Sequence, residues 1–164
     1  MADNKLNKAI NEQIKHELDS FYLYLSMASY CESINLNGFA SWMKSQSSEE
    51  YEHAMKFYNF LHERGAEVEL LPIDKPPKSF GSSLKLFEKA LENEQNVTKL
   101  IHKLYEMALD QKDYPAQVML HWFIEEQVEE EDMVREIIEK LKLAGNQGAA
   151  LLMMDRQLAQ RSEK

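Results

Sequence analysis

Backbone breakers are scarce in this 164-residue chain. There are five Gly and four Pro, and three of the prolines crowd together at Pro72, Pro76 and Pro77. Few breakers remain outside that cluster, which favours long helices. The single cysteine, Cys31, excludes an intramolecular disulfide framework. It reads as a small buried apolar residue of a reducing compartment. No stretch reaches the ~18 apolar residues of a membrane span. The polar segment from Met1 to Asn11 lacks the apolar core of a secretory signal. A soluble, cytoplasmic protein is the expectation. Basic residues are outnumbered 19 to 28, for a net charge of −9, which disfavours a nucleic-acid partner.

What the chain does have is four long apolar stripes with alternating steps of three and four, the period of helices packed into a bundle. The first is Leu6, Ile10, Gln13, Glu17, Ser20, Tyr24, Met27, Cys31 and the second is Phe39, Met43, Gln46, Glu50, His53, Phe57, Phe60. The third is Leu84, Phe87, Leu91, Glu94, Thr98, Ile101, Tyr105, Ala108 and the fourth is Ala116, Leu120, Phe123, Gln127, Glu130, Val134, Ile137, Leu141. They predict helices over about 4–34, 38–64, 83–112 and 115–144. A short apolar helix is predicted over 147–160, followed by a tail, Arg161 to Lys164, expected to fray. The first connection, Asn35-Leu36-Asn37-Gly38, is a tight turn, so the first two helices are antiparallel neighbours. The second, 65–82, contains Pro72-Ile73-Asp74-Lys75-Pro76-Pro77 and cannot be a regular helix. Extended, it reaches roughly 50 Å, against ~40 Å for a helix of about 27 residues. It can cross the whole bundle and leave the second and third helices parallel. The fold class is an all-α four-helix bundle, up, down, crossover, down, up, with a fifth helix, in a single domain over 1–164.

Each long stripe is interrupted at mid-length by polar groups: Glu17, then Glu50 and His53, then Glu94, then Gln127 and Glu130. The spacing is duplicated. Glu17 precedes Glu50 by 33 positions and His53 by 36, and Glu94 precedes Gln127 by 33 and Glu130 by 36. Glu50 and His53, one turn apart on one face, offer oxygen and imidazole nitrogen to a first-row divalent metal. An isolated Glu-x-x-His pair would more often be solvated or a satisfied core histidine. Polar residues that merely fix helix register are the other reading. Four helices at matched depth weigh against both, because four carboxylates in an apolar core repel one another and take up protons unless cations bridge them.

Over Lys5 to about Gln160 the chain resembles the non-haem bacterial-type ferritins, within the ferritin-like di-iron carboxylate proteins. Glu17, Glu50-x-x-His53, Glu94 and Gln127-x-x-Glu130, the long crossover and the fifth helix carry the resemblance. It implies iron storage with ferroxidase activity, using dioxygen or peroxide. One iron would be held by Glu17, Glu50 and His53 and a second by Glu50, Glu94 and Glu130, with Gln127 beside them. Tyr24 would act as a redox-active or positioning tyrosine. A third iron is implied at Glu49, Glu126, Glu129 and Glu130, which otherwise belong to solvated charge runs. The resemblance also implies a 24-subunit cage, with the crossover 65–82 at dimer contacts and 147–160 at four-fold contacts. Leu70, Leu71 and Ile73 would sit at the former and Leu151 to Leu158 at the latter. Two departures matter. Bacterioferritins carry Glu-x-x-His in both hairpins and a haem-ligating Met directly after the bridging Glu. Here those positions are Glu130 and Tyr51, so no haem is expected. Animal ferritins line three-fold pores with acidic residues that would align with Gln117 and Leu120, and neither is acidic.

Overall fold

The computed structural model describes residues 4–161. The frayed tail expected at 162–164, and the first three residues of the polar N-terminal segment, lie outside the described residues. The elements are α1 (Lys5–Ser33), α2 (Asn37–Glu63), α3 (Ser83–Asp110), α4 (Tyr114–Ala144) and α5 (Gly148–Leu158), with no strand among the described residues. Local chemistry sets the ends. Asn4 Oδ1 accepts from Leu6 N at 2.9 Å, Ser82 Oγ from Lys85 N at 3.2 Å and Asp113 Oδ1 from Ala116 N at 3.2 Å. After α2, Gly65 adopts a left-handed φ of 67°, and Ala66 N reaches back to Leu61 O at 2.9 Å, closing the carbonyl end. Asn35 and Lys112 end α1 and α3 in the same way, with φ of 63° and 53°.

The helix α2 lacks a capping side chain of its own. Asp155 of α5 supplies one across the fold, accepting from Phe39 N at 2.9 Å. The approach is close: a Cβ on Gly38 would lie 1.7 Å from the Asp155 carbonyl oxygen. Glycine is required there by contact, not by dihedral angle.

The crossover lies along α1 in the direction of that helix. Asn11 bonds Glu67 O and Glu69 N, Asp19 Oδ1 accepts from Asp74 N, and the hydroxyls of Ser26 and Tyr30 donate to the carbonyls of Pro77 and Gly81. Side chains of one helix thus satisfy backbone groups of a segment with no regular structure. The chain is returned to the end where α2 began, so α3 runs parallel to α2. Leu71 is half-buried, while Leu70 and Ile73 are exposed.

All eight residues of the third stripe fall on the buried side or its margin, but its axis is displaced. Phe87, Glu94, Ile101 and Ala108 are buried, whereas Leu84, Leu91, Thr98 and Tyr105 form only a half-buried shoulder. The opposite shoulder, Ala90, Val97 and Leu104, is the buried one. Both rows recur every seven residues, so stripe reading alone cannot choose between them. In α2 the stripe ends on buried Leu61, with Phe60 half-buried. Leu120 is fully buried and not available to line a pore.

The fifth helix, for which the resemblance implies only contacts between subunits, packs in part on its own bundle. Met154 is buried, and Leu151 and Leu158 pack on the same apolar cluster, beside Cys31, Phe39 and Trp42. Leu152 and Met153 point away, 62% and 73% exposed. Arg161, expected to fray, is instead pinned: it donates to Trp42 O, Gln46 Oε1 and Glu49 Oε2.

Candidate metal centre

The apolar core is not continuous. One cluster runs from Leu23 to Cys31 on α1, takes in Leu36 at the start of α2, and continues through Val134 to Leu141 on α4, and a second gathers Leu6, Ile10, Phe57, Ile101 and Phe123 toward the other end. Between them lies a layer of buried polar side chains: Gln13, Glu17, Ser20, Gln46, Ser47, Glu50, His53, Glu94, Gln127 and Glu130. All four long helices contribute to it. Four of its members are carboxylates, and no Lys or Arg is buried among the described residues.

Within the layer the ligating atoms converge in two groups that share Glu50. One atom each of Glu17, Glu50 and His53 lie within 4.8 Å of one another, and so do one each of Glu50, Glu94 and Glu130. His53 Nδ1 is 3.4 Å from Glu50 Oε2 and 3.9 Å from Glu17 Oε2. These three atoms are buried without a hydrogen-bond partner. Orphaned buried polar atoms are costly, and three aimed at one point are the arrangement a cation would satisfy. The donor set, oxygens with one imidazole nitrogen, suits a first-row divalent ion.

The remaining lone pairs are held by a polar shell. Gln13 Nε2 donates to Glu17 Oε1 at 3.1 Å, and Gln46 Nε2 donates to Glu50 Oε1 at 3.1 Å and Glu130 Oε2 at 2.6 Å. The Tyr24 hydroxyl donates to Glu94 Oε1 at 2.9 Å. Gln127 Nε2 binds Glu94 O at 3.2 Å and Thr98 Oγ1 at 3.1 Å, and Thr98 donates onward to Glu131 Oε2 at 2.6 Å. Glu17 and Glu50 are thus each oriented by a glutamine that leaves the other oxygen turned toward the centre.

The electrostatics follow from burial. Desolvation, then the charges of Glu94 and Glu17, holds the Glu50 carboxyl well above the usual carboxylate range. Burial pushes Glu94 up to about 7, although the bonds from Tyr24 and Gln127 favour its charged form. Burial and the neighbouring carboxylates push the Tyr24 phenol well above its usual value. Tyr24 therefore keeps its proton and donates a hydrogen bond to Glu94.

Farther out, one ligating atom each of His53, Glu126 and Glu130 also lie within 4.8 Å of one another. Glu130 is thereby common to this group and to the inner pair. Glu49 is half-buried and bonded to Arg161, and Glu129 is exposed; neither joins these groups. Gln13, Gln46, Thr98 and Arg161 carry positioning roles that the stripe reading passes over. The signal for the glutamines is present: each precedes the first carboxylate of its apolar stripe by four positions, on the same face. Nothing local marks Arg161.

Antiparallel helices that bring carboxylates and a Glu-x-x-His pair to the mid-height of a bundle define the carboxylate-bridged metal proteins of the helical-bundle class. Within that class the chain belongs to the ferritin family, whose ferritin-like domain matches residues 7–144. It is similar to a bacterial non-heme ferritin of Bacteroides fragilis (strain 638R), 42% identical over 161 residues that cover 98% of this chain and 100% of the relative. A bacterial non-heme ferritin of Campylobacter jejuni is 40% identical over 155 residues, 94% of this chain and 93% of the relative. Among solved structures, an open pore ferritin from the hyperthermophilic archaeon Archaeoglobus fulgidus superposes with a TM-score of 0.96 at 47% identity, covering 99% of this chain and 100% of that one.

Proposed function

We propose that this chain stores iron, oxidising Fe(II) at the centre described above and depositing Fe(III) as a mineral inside a shell of 24 copies. The observation that carries the reading is the pair of buried donor groups sharing Glu50. Family membership and the non-heme ferritin relatives support it. In this reading Glu17, Glu50 and His53 bind one Fe(II), and Glu50, Glu94 and Glu130 bind the other. Each ion gives up one electron, and the pair supplies the two that reduce dioxygen to hydrogen peroxide, with protons taken from solvent. No side chain acts as a nucleophile. The protein's own contribution is to fix two cations side by side and to release protons as they bind. One histidine and four glutamates give a single nitrogen donor, which suits iron that passes through as a substrate. Glu49, Glu126, Glu129 and Glu130 serve a third ion on the way to the mineral.

Assembly is supported by the apolar surface left on the bundle. Tyr22, Leu25, Leu70 and Ile73 are exposed on α1 and the crossover, and Leu143, Leu152 and Met153 beside α5. Patches of this kind mark contacts between subunits, and closed symmetry is the usual way to cover them. We assign the first patch to dimer contacts and the second to four-fold contacts.

The test is anaerobic Fe(II) loading followed by oxygen, with the particle sized before and after. A shell near 460 kDa, from 24 chains of 19.2 kDa, holding iron far beyond three ions per chain, is the expected result. A monomer or dimer that retains its iron without turnover would refute the storage reading.

A further inference from the structure

Beside the metal centre a pocket of about 370 Å³ opens onto His53, with Ser48, Glu49, Glu52, Glu126 and Arg161 among its walls. Arg161 follows the last turn of α5 and reaches across to α2. Its side chain is only 10% exposed. One guanidinium nitrogen, Nη2, donates to both Glu49 Oε2 and Gln46 Oε1, each at 3.0 Å, and Nη1 donates to Trp42 O at 3.2 Å. The guanidinium carbon stands 4.6 Å from the centre of the Trp42 ring. A cation carried by the chain itself thus sits against one of the carboxylates that face this pocket.

The contact extends to the metal centre through one residue. Arg161 engages the oxygen of the Gln46 amide, so the amide nitrogen must face inward, where it donates to Glu50 and Glu130. Arg161 therefore fixes Glu49 directly and helps orient two centre carboxylates through Gln46. A divalent ion entering the pocket meets Glu49 already neutralised.

We propose that Arg161 is a latch: a tethered cation that competes with the third metal ion for Glu49 and is displaced when that ion binds. This rests on the reading of Glu49, Glu126, Glu129 and Glu130 as an ion site. It goes further in coupling occupancy of that site to the segment that follows α5. Coupling of this kind is reciprocal, so a latched Arg161 weakens the ion, and the ion frees Arg161.

The test uses Zn(II), which needs no oxidant, titrated calorimetrically into the metal-free assembled protein. Two tight equivalents per chain report the centre and a weaker third reports the outer site. In Arg161→Gln the third equivalent should tighten about tenfold, roughly what one hydrogen-bonded ion pair can contribute, with the first two affected less. Glu49→Gln should weaken the third equivalent, and adding Arg161→Gln to it should bring no tightening, because the contested carboxylate is gone. A third equivalent unchanged or weakened in Arg161→Gln would overturn the latch and leave Arg161 as a tether or a support for the site. Failure of the unsubstituted protein to bind the first two equivalents would instead sink the reading of the centre, and the latch with it.

Discussion

At the scale of residues, the centre trades folding stability for ion binding. Glu94 has a folded value near 7 against an ordinary value of 4.5. Between those values the folded form keeps a proton that the unfolded form has lost, so this group's contribution makes the metal-free protein less stable as pH rises through that window. The difference corresponds to about 3 kcal/mol by pH 8, absent below pH 4.5. In metal-free Glu94→Gln the penalty should vanish, so the variant should be more stable relative to wild type at pH 8 than at pH 5, as measured by denaturation. A gap between the two proteins that does not change with pH would contradict this. His53→Ala removes the one imidazole that could ligate a metal in the layer and should lower the initial Fe(II) oxidation rate by roughly tenfold or more, with helicity retained by circular dichroism. An unchanged rate would remove His53 from the centre. The residues of the layer are legible in the sequence because a glutamate on an apolar stripe conflicts with its surroundings, and the conflict recurs at duplicated spacing. The polar shell is less legible: a glutamine on such a stripe is neutral and raises no conflict, and which way Gln46 donates is set by partners distant in sequence, Glu130 and Arg161.

At the scale of elements, periodicity identifies four long helices because each buries one face over many turns. It leaves the axis of α3 displaced, since its two shoulders differ in burial and not in period. The docking of α5 was not legible. It depends on Asp155 capping a helix more than a hundred positions away and on the missing Cβ of Gly38, and neither leaves a local pattern. Both are open to test. Asp155→Ala should cost about 1 kcal/mol, the value of a lost helix cap, whereas Asp155→Asn keeps an acceptor and should cost less. Gly38→Ala should be the more damaging change, because a methyl group and a backbone carbonyl cannot share the space; thermal melts of the three variants would rank them. Equal melting temperatures for Gly38→Ala and wild type would show that α5 can shift without loss.

At the scale of the whole molecule, α5 has two faces. Met154, Leu151 and Leu158 are committed to their own bundle, and Leu152 and Met153 are exposed, the face that the proposed cage would cover with a neighbouring chain. Ending the chain after Gly145 should therefore do two things: lose or weaken the cage, seen by size, and destabilise the remaining bundle moderately, because α2 loses its cap and Trp42 its cover. An intact, equally stable cage would refute the assembly role. The division of the core into two apolar clusters by a carboxylate layer has a further consequence for cooperativity. Without a cation, the helices are joined at mid-height by groups that repel one another, so opening at one end need not propagate to the other. Amide hydrogen exchange on the metal-free protein should then resolve two protected blocks with different opening free energies. In the proposed reading, bound metal would tie Glu17, Glu50, Glu94 and Glu130 together and stabilise only the closed form. The two blocks should then merge into one that opens as a unit, so that the cargo itself decides whether the bundle behaves as two halves or as one.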